Sequence, residues 1–118
     1  MAVAAKNSDV PLLLIGDLNT GSNSCDIEGT GTPFACEDLF LGLETRAGLR
    51  DLWRAERKDA REWTWRSNAS GFRLDHAFGN QALVDRMGPI KARYDHHPRE
   101  SALTDHSALI VDLTVPSI

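Results

Sequence analysis

Hydrophobic and polar positions follow different patterns along the two halves of this chain. A continuous apolar run at residues 11–15 stops at Gly16, which predicts a strand buried on both faces. Residues 20–33 are rich in glycine, serine, threonine and asparagine and predict a long surface loop. Thr32 and Pro33 resemble an N-cap and a first-turn proline, so a helix with one apolar stripe is expected next. The stripe comprises Cys36, Leu39, Phe40, Leu43 and Ala47.

Short strand patterns dominate the second half. Gly48 ends the predicted helix, and residues 49–57 predict a short turn or helix. Residues 62–66 alternate as in a strand, and a turn at 68–71 joins them to a second alternating strand at 72–78. The remaining predicted elements are a short helix at 81–87 and strands at 90–95 and 108–115. This order predicts an α+β fold, with a mixed, mostly antiparallel sheet and helices on one face.

Composition narrows the class of protein without defining its chemistry. The chain has 118 residues, of which 42% are hydrophobic and 25% charged, as in an ordinary single globular domain. Its formal net charge of -4 argues against a surface that coats nucleic acid in general, although a metal ion could supply positive charge in a nuclease. No secretory signal or membrane-spanning run is visible, so a cytoplasmic location without a membrane partner is expected. Cys25 and Cys36 could form a disulfide or be two small buried hydrophobic residues.

A carboxylate and an amide follow the first predicted strand. They are Asp17 and Asn19, in the sequence GDLN at residues 16–19. A strand end displays such groups at the edge of a sheet, and residues two apart point the same way if the backbone stays extended. The pair suits a hard metal ion, or a polarised water beside a phosphate oxygen. The same residue types are common in turns, so this motif alone leaves both interpretations open.

A second motif places a carboxylate inside a predicted strand, where carboxylates are disfavoured. Alternation puts Asp75 and Arg73 on the face opposite an apolar one. Asp75 could be a surface charge on an edge strand, or a buried carboxylate paired with a cation. The sequence leaves these two alternatives open. The apolar face comprises Phe72, Leu74, His76 and Phe78.

A third motif, Thr104, Asp105 and His106, precedes the last predicted strand. Adjacent side chains point in different directions in an extended chain, so Asp105 and His106 would have different partners. Histidine changes charge near neutral pH and can bind or protonate a phosphate oxygen. A carboxylate such as Asp75 could hold the imidazole in one tautomer and raise its pKa. Taken alone, an Asp-His pair before a strand is more often a loop detail.

In this order, the three motifs resemble the C-terminal signatures of the endonuclease/exonuclease/phosphatase superfamily, which includes exonuclease III and the abasic-site endonucleases. The superfamily patterns are approximately GDFN, RIDY and SDH. Here they read GDLN at 16–19, RLDH at 73–76 and TDH at 104–106. Segments 48–53 and 62–65 also resemble connecting segments of the bacterial branch.

The resemblance covers residues 10–113, and the departures from the motifs are small. Leu18 replaces the usual aromatic residue, His76 replaces the tyrosine, and Thr104 replaces the serine. None of these changes removes a chemical group that the family mechanism plainly needs, although the histidine leaves its own role open.

The resemblance implies roles for five residues. Asp17 would activate or position the attacking water, and Asn19 would contact the phosphate. Asp75 would orient His106, which would stabilise charge on the phosphoryl oxygens. Asp105 would contribute to a divalent-metal site together with Asp17 and Asn19. The implied ion is Mg²⁺ or Mn²⁺, which agrees with a ligand set rich in oxygen and free of thiolates.

Family members also carry an upstream half, with an early asparagine and a metal-binding glutamate. Asp9 and Glu28 do not lie in a comparable motif. The resemblance therefore implies that residues 1–118 are a partial domain, half of a four-layer α/β/β/α sandwich without its N-terminal half. One half alone would expose a sheet face, which a two-fold homodimer could cover. The metal site would be incomplete within one chain.

Three hypotheses follow from these motifs. The first is a divalent-metal-dependent phosphoester hydrolase, a phosphodiesterase or nuclease whose missing ligands come from a partner chain or a second copy. The second is a non-catalytic remnant or interaction module that self-associates, and the third is a truncated fragment. The connecting segments favour DNA as substrate by analogy only, since the superfamily acts on DNA, RNA, phosphoinositides, sphingolipids and nucleotide tails.

Overall fold

The computed structural model describes residues 9–116, which form an α+β fold as the sequence predicts. Its helices are α1 (Glu37–Thr45), α2 (Gln81–Met87) and the single-turn α3 (His97–Glu100), and a 3-10 turn covers Arg54–Glu56. The strands are β1 (Leu13–Asp17), β2 (Arg50–Asp51), β3 (Trp65–Arg66), β4 (Gly71–Phe72), β5 (Asp75–Gly79), β6 (Lys91–Asp95) and β7 (Ala108–Asp112).

The strands pair in three small antiparallel groups. The largest has the order β1-β5-β2, so β5 is central and pairs on both edges. The β3-β4 hairpin and the β6-β7 pair are the other two. An isolated bridge between Trp65 and His106 ties the hairpin to the segment that leads into β7. This bridge brings the third sequence motif to the same end of the fold as the start of β5.

Two apolar clusters cover the two faces of the β1-β5-β2 sheet. Alternation along β5 sends Ala77 to one face and Phe78 to the other. Phe78 packs with Phe40 of α1, whereas Ala77 packs with Leu83 of α2 and with the β6-β7 pair. The structure therefore differs from the expected placement of helices on one face, because α1 and α2 lie on opposite faces. None of the helices within residues 9–116 is long and apolar enough to cross a membrane.

The prediction that the first strand is buried on both faces is wrong for this chain. β1 begins two residues later than expected and pairs only with β5, so it is an edge strand. Its residues are half-buried or exposed, and the Ile15 side chain is 46% exposed. The last strand behaves similarly, because the apolar residues of β7 are only half-buried. Apolar runs on both strands therefore lack a covering layer on part of their surface.

The first helix also starts later than predicted. It begins at Glu37 rather than after Thr32, because residues 23–36 are fixed by loop contacts. The Asn23 side chain accepts from the Phe34 N–H, and the Asn23 N–H donates to the Glu37 carboxylate. Within the predicted stripe, Phe40 and Ala47 are buried and Leu43 packs beside them, whereas Leu39 and Cys36 are exposed. Cys25 and Cys36 are free thiols.

The predicted strands at 62–66 and 72–78 are interrupted. Only Trp65–Arg66 of the first is a strand, and the second divides into β4 and β5 around Arg73 and Leu74. The amides of these two residues leave the sheet ladder, because they donate to Asp26 O and Thr64 Oγ1. All five residues of β5 are buried, so the polar positions opposite its apolar face are also covered by the protein.

A buried ion cluster explains how a charged residue occupies this interior. Arg73 is 1% exposed and donates to Asp26 Oδ1 and to Asp51 Oδ2, each at 2.7 Å. Arg54 adds a second cation to Asp26 at 2.9 Å. The Arg73 guanidinium also lies 4.7 Å above the Trp53 ring, which itself is in the core. Every buried charge of this cluster therefore has a partner of opposite sign.

Candidate active site

Two carboxylates face each other across the central strand pair. Asp17 is the last residue of β1 and Asp75 is the first residue of β5, and the antiparallel register places them directly opposite each other. Asp75 is 9% exposed, whereas the Asp17 side chain is 47% exposed. The structure thus answers the question left open by the sequence: Asp75 is a buried carboxylate on a central strand, not a surface charge on an edge strand.

His106 completes the cluster. Its Nδ1 lies 2.8 Å from Asp75 Oδ2, and its Nε2 lies 3.7 Å from Asp17 Oδ2. One ligand atom of each of these three residues lies within 4.8 Å of the other two. The contact predicted between the Asp75 carboxylate and the His106 ring is therefore present. The bridge from His106 to Trp65, and the bond from Ser107 N–H to Thr64 O, hold the backbone at this position.

The charge of His106 follows from this geometry. Partial burial disfavours the imidazolium, but the hydrogen bond and the negative charge of Asp75 outweigh it, with help from Asp17 and Asp105. The net effect raises the pKa of His106 above its usual value. With Asp75 accepting the Nδ1 proton, the second imidazolium proton lies on Nε2, on the side of Asp17.

Asn19 lies beside the cluster, but by a different backbone route from the one predicted. The chain is not extended there: Asn19 has a φ of 52°, and its N–H donates to Asp17 Oδ1 at 2.8 Å. Asparagine tolerates this left-handed conformation better than most residues. Its side chain is exposed and, with His106, lines a depression of about 370 Å³. The apolar part of that lining comprises Phe34, Trp65, Phe72 and Leu74.

Asp105 is placed apart from the three-residue cluster. It is exposed and lines a separate groove, next to Thr104 rather than to Asp17. Its charge still reaches His106 and helps to raise the pKa of that imidazole. The structure thus brings Asp17, Asp75 and His106 together and places Asn19 next to them. Asp105 is adjacent to His106 in sequence but does not belong to the cluster.

Supporting residues that the motifs did not reveal hold Asp75 in place. The Tyr94 hydroxyl donates to the Asp75 backbone carbonyl at 2.6 Å and lies 3.2 Å from Arg73 Nη1, which donates to it. The buried ion cluster is therefore connected to the start of β5 through one phenol. Arg73 was visible as part of its motif, but nothing in the sequence linked it to Asp26, Asp51 or Tyr94.

A second supporting network lies behind His106. Arg99 Nε donates to Ser107 Oγ at 3.0 Å, and Ser107 Oγ lies 2.6 Å from His96 Nδ1. His96 Nε2 in turn lies 2.7 Å from Glu62 Oε2. If Ser107 donates to His96 Nδ1, then Nε2 carries the proton that Glu62 accepts, and the Ser107 hydroxyl both accepts from Arg99 and donates to His96. Ser107 is 5% exposed, so its hydroxyl supports the backbone after His106 rather than contacting a ligand.

His76 sits in the core beneath the site. Its Nε2 lies 2.6 Å from Thr20 O, its ring is 4.6 Å from that of Phe40, and within residues 9–116 its Nδ1 has no hydrogen-bond partner. Burial, and then the charge of Arg73, lower the pKa of His76 despite the contact with Thr20 O. His76, the last residue of the RLDH motif, is thus a neutral core residue.

This burial predicts an acid-sensitive fold. Above about pH 6.5, His76 is neutral in both states and contributes no pH dependence. Below that pH, His76 is protonated in the unfolded chain but stays neutral in the folded protein. The free energy of unfolding therefore falls by up to about 1.4 kcal/mol per pH unit until the pKa of His76 in the folded protein is reached. His76→Phe removes this loss. In urea titrations with EDTA, the free energy of unfolding of the wild type minus that of His76→Phe should fall between about pH 7.5 and about pH 5.5. A constant difference across that range would contradict the assignment.

A scan against models of known protein families found no match, and a search of curated proteins found no relative that is similar enough to count.

Proposed function

We propose that this chain is a divalent-metal-dependent phosphoester hydrolase domain of the endonuclease/exonuclease/phosphatase type. The observation that carries the proposal is the convergence of Asp17, Asp75 and His106, with the Asp75 carboxylate 2.8 Å from the imidazole. These residues come from three separate motifs: Asp75 lies 58 positions after Asp17, and His106 lies 31 positions after Asp75. If each of these residues had only an ordinary structural role in a turn or on the surface, there would be no reason for the three side chains to lie together.

The proposed reaction is the hydrolysis of a phosphate ester. A water oxygen bonds to phosphorus, the bond from phosphorus to the leaving oxygen breaks, and the leaving oxygen takes a proton from solvent. Asp17 is exposed enough to contact that water and to accept its proton. The Nε2–H of protonated His106, held in orientation by Asp75, donates to a phosphoryl oxygen and stabilises the negative charge that grows there.

The donor set fits Mg²⁺ or Mn²⁺. Carboxylate and amide oxygens from Asp17 and Asn19 suit both ions. Two or three protein ligands are sufficient for Mg²⁺, which usually keeps several waters and binds substrate phosphate oxygens. When bound, such an ion would neutralise phosphate charge and polarise water. Asp105 can join this set only through a water or through movement of the loop, since it lies outside the cluster.

The depression beside His106 supports a substrate with an apolar or flat group next to the phosphate. Trp65 and Phe72 lie with their ring centroids 5.9 Å apart, and Phe34 packs edge-on against Phe72 at 5.8 Å. Aromatic walls of this kind stack on bases and on other flat groups. The phosphoester substrate is therefore expected to carry such a group, as a strand of DNA does.

Hydrolysis of bis(p-nitrophenyl) phosphate with Mg²⁺ or Mn²⁺ tests the proposal. The wild type should release p-nitrophenol in a metal-dependent way, and Asp17→Ala should lower kcat by about 10²-fold or more because the water loses its proton acceptor. Asp85→Ala, an exposed carboxylate change on α2, is the matched control and should behave as the wild type. Equal rates for wild type and Asp17→Ala would remove the hydrolase proposal.

The alternative is an interaction module that self-associates, and one observation favours it. Ile15 is 46% exposed on the edge strand β1, and the apolar residues of β7 are half-buried. A second copy that covers these strands as a two-fold homodimer would remove that apolar area from water. Sedimentation at micromolar concentration distinguishes the two states. A dimer without metal-dependent turnover would favour the module over the enzyme.

A further inference from the structure

A shallow groove is lined in part by residues adjacent in sequence to the candidate active site. It has a volume of about 540 Å³ and is lined by Arg66, Arg99, Ala102, Thr104 and Asp105. Two of these residues, Arg66 and Asp105, are direct sequence neighbours of the bridged pair Trp65 and His106. On each strand of that bridge, the groove therefore lies next to the bridged residue along the backbone.

The groove is lined by two guanidinium groups, of which that of Arg66 also pairs with Glu28, and by one carboxylate. The carboxylate is Asp105, which would repel a bare phosphate near it. An anion in the groove is therefore expected at the end formed by Arg66 and Arg99.

Arg99 is a half-buried cation with no carboxylate among its hydrogen-bond partners, and its Nη2 also lies 3.5 Å from His96 Nδ1. Its Nε donates to Ser107 Oγ, and its Nη2 donates to Trp63 O at 3.3 Å. No carboxylate of residues 9–116 forms an ion pair with it. The side chain is thus fixed in place before any ligand arrives, while its positive charge has no counter-charge. A guanidinium in this situation is suited to a phosphate, which accepts from it through two oxygens.

Arg66 is available to the same ligand. It pairs with Glu28 through Nη1 at 2.8 Å, but the two side chains are 40% and 37% exposed. An exposed pair of this kind contributes little to stability, so a phosphate can share or replace it.

We propose that Arg66 and Arg99 form a phosphate subsite that binds a second phosphate of the substrate, beside the one at His106. This inference rests on the proposed function for the place of the first phosphate. The substrate is then a molecule with at least two phosphates, either a nucleic-acid strand or a multiply phosphorylated small molecule. An isolated phosphomonoester or a single diester fills only half of this surface.

Binding of a fluorescein-labelled oligothymidylate of four nucleotides, measured by anisotropy in EDTA, tests the subsite without any turnover. Arg66→Gln should weaken binding about tenfold and lower the slope of log Kd against log salt by about 0.7, the value for one lost phosphate contact on a single strand. Arg99→Lys should weaken binding less, because it keeps the charge and loses the planar fork. Arg86→Gln, an exposed change on α2 at the opposite end of β5, is the control and should leave both quantities unchanged.

Competition with unlabelled inositol trisphosphate identifies the source of the second phosphate. If inositol trisphosphate displaces the oligonucleotide and Arg66→Gln weakens this displacement, the subsite binds a small polyphosphate. If inositol trisphosphate does not displace the oligonucleotide, the subsite binds a nucleic-acid strand. Unchanged affinity and salt slope in the Arg66 and Arg99 variants overturns the subsite, even if bis(p-nitrophenyl) phosphate is hydrolysed. Arginine-dependent binding with no difference in hydrolysis between wild type and Asp17→Ala removes the enzyme proposal and keeps the subsite.

Discussion

Asp75→Asn is expected to lower kcat for phosphoester hydrolysis by about 10²–10⁴-fold with little change in KM. The amide keeps the size of the side chain but removes the negative charge that holds the His106 imidazolium. It can also donate to Nδ1, which would place the only ring proton on Nε2 and leave the ring neutral. The transition state therefore loses a charged donor, whereas substrate binding in the ground state loses little. Steady-state kinetics with bis(p-nitrophenyl) phosphate and Mn²⁺ measures the change.

Asp112→Asn is the matched control for that variant. Asp112 is exposed at the end of β7, so its loss of charge should leave the rate within about twofold of wild type. Urea titration of both variants separates a catalytic effect from unfolding. If Asp75→Asn retains a rate within about tenfold of wild type, the contact with His106 has no part in the chemistry.

Arg73→Met is expected to destabilise the fold by about 3–5 kcal/mol, the largest effect on stability that the structure predicts. Methionine fills much of the same volume, but it leaves Asp51 without a cation and Asp26 with Arg54 alone. Both carboxylates are buried, so their charge can no longer be compensated without protonation or opening of the core. The midpoint of urea unfolding at neutral pH measures the loss.

Arg86→Met provides the comparison, because Arg86 is exposed and its replacement should change stability by no more than about 0.5 kcal/mol. Lower pH gives a second check on the cause. Protonation of Asp26 removes part of the uncompensated charge, so the gap between Arg73→Met and wild type should narrow in acid. A loss below about 1 kcal/mol at neutral pH would show that the ion cluster contributes little to the fold.

The sequence predicted the class of fold and most elements because local patterns determine them. The α2 helix, the turn before β4 and the pairing strands β6 and β7 lie where the periodicity placed them. Errors arose where a long-range contact replaced a local preference. Helix α1 starts late because Asn23 and Glu37 hold the loop, and β1 is half-exposed because it is an edge strand, which apolar content alone does not reveal.

The candidate site was predictable in its three principal residues but not in their surroundings. The expectation that Asp17, Asp75 and His106 meet came from the resemblance of the ordered motifs to a known family, and the pairing of the elements does bring these three residues together. Asp105 was expected in the same cluster, and neighbouring residues of an extended chain instead face different sides. The contributions of Tyr94 and Arg99 had no sequence signal, because single polar residues inside or after a strand have many ordinary uses.

One consequence follows from the register of the central strand pair. Asp17 and Asp75 carry like charges at directly opposed positions, an arrangement that weakens an antiparallel pair. A divalent cation between them would relieve that repulsion and would bind only the folded chain. At a hundred times its Kd, such an ion adds about 2.7 kcal/mol to the free energy of unfolding. An increase of the melting temperature with Mn²⁺ concentration would then measure the binding of the ion to this site, even before any substrate is known.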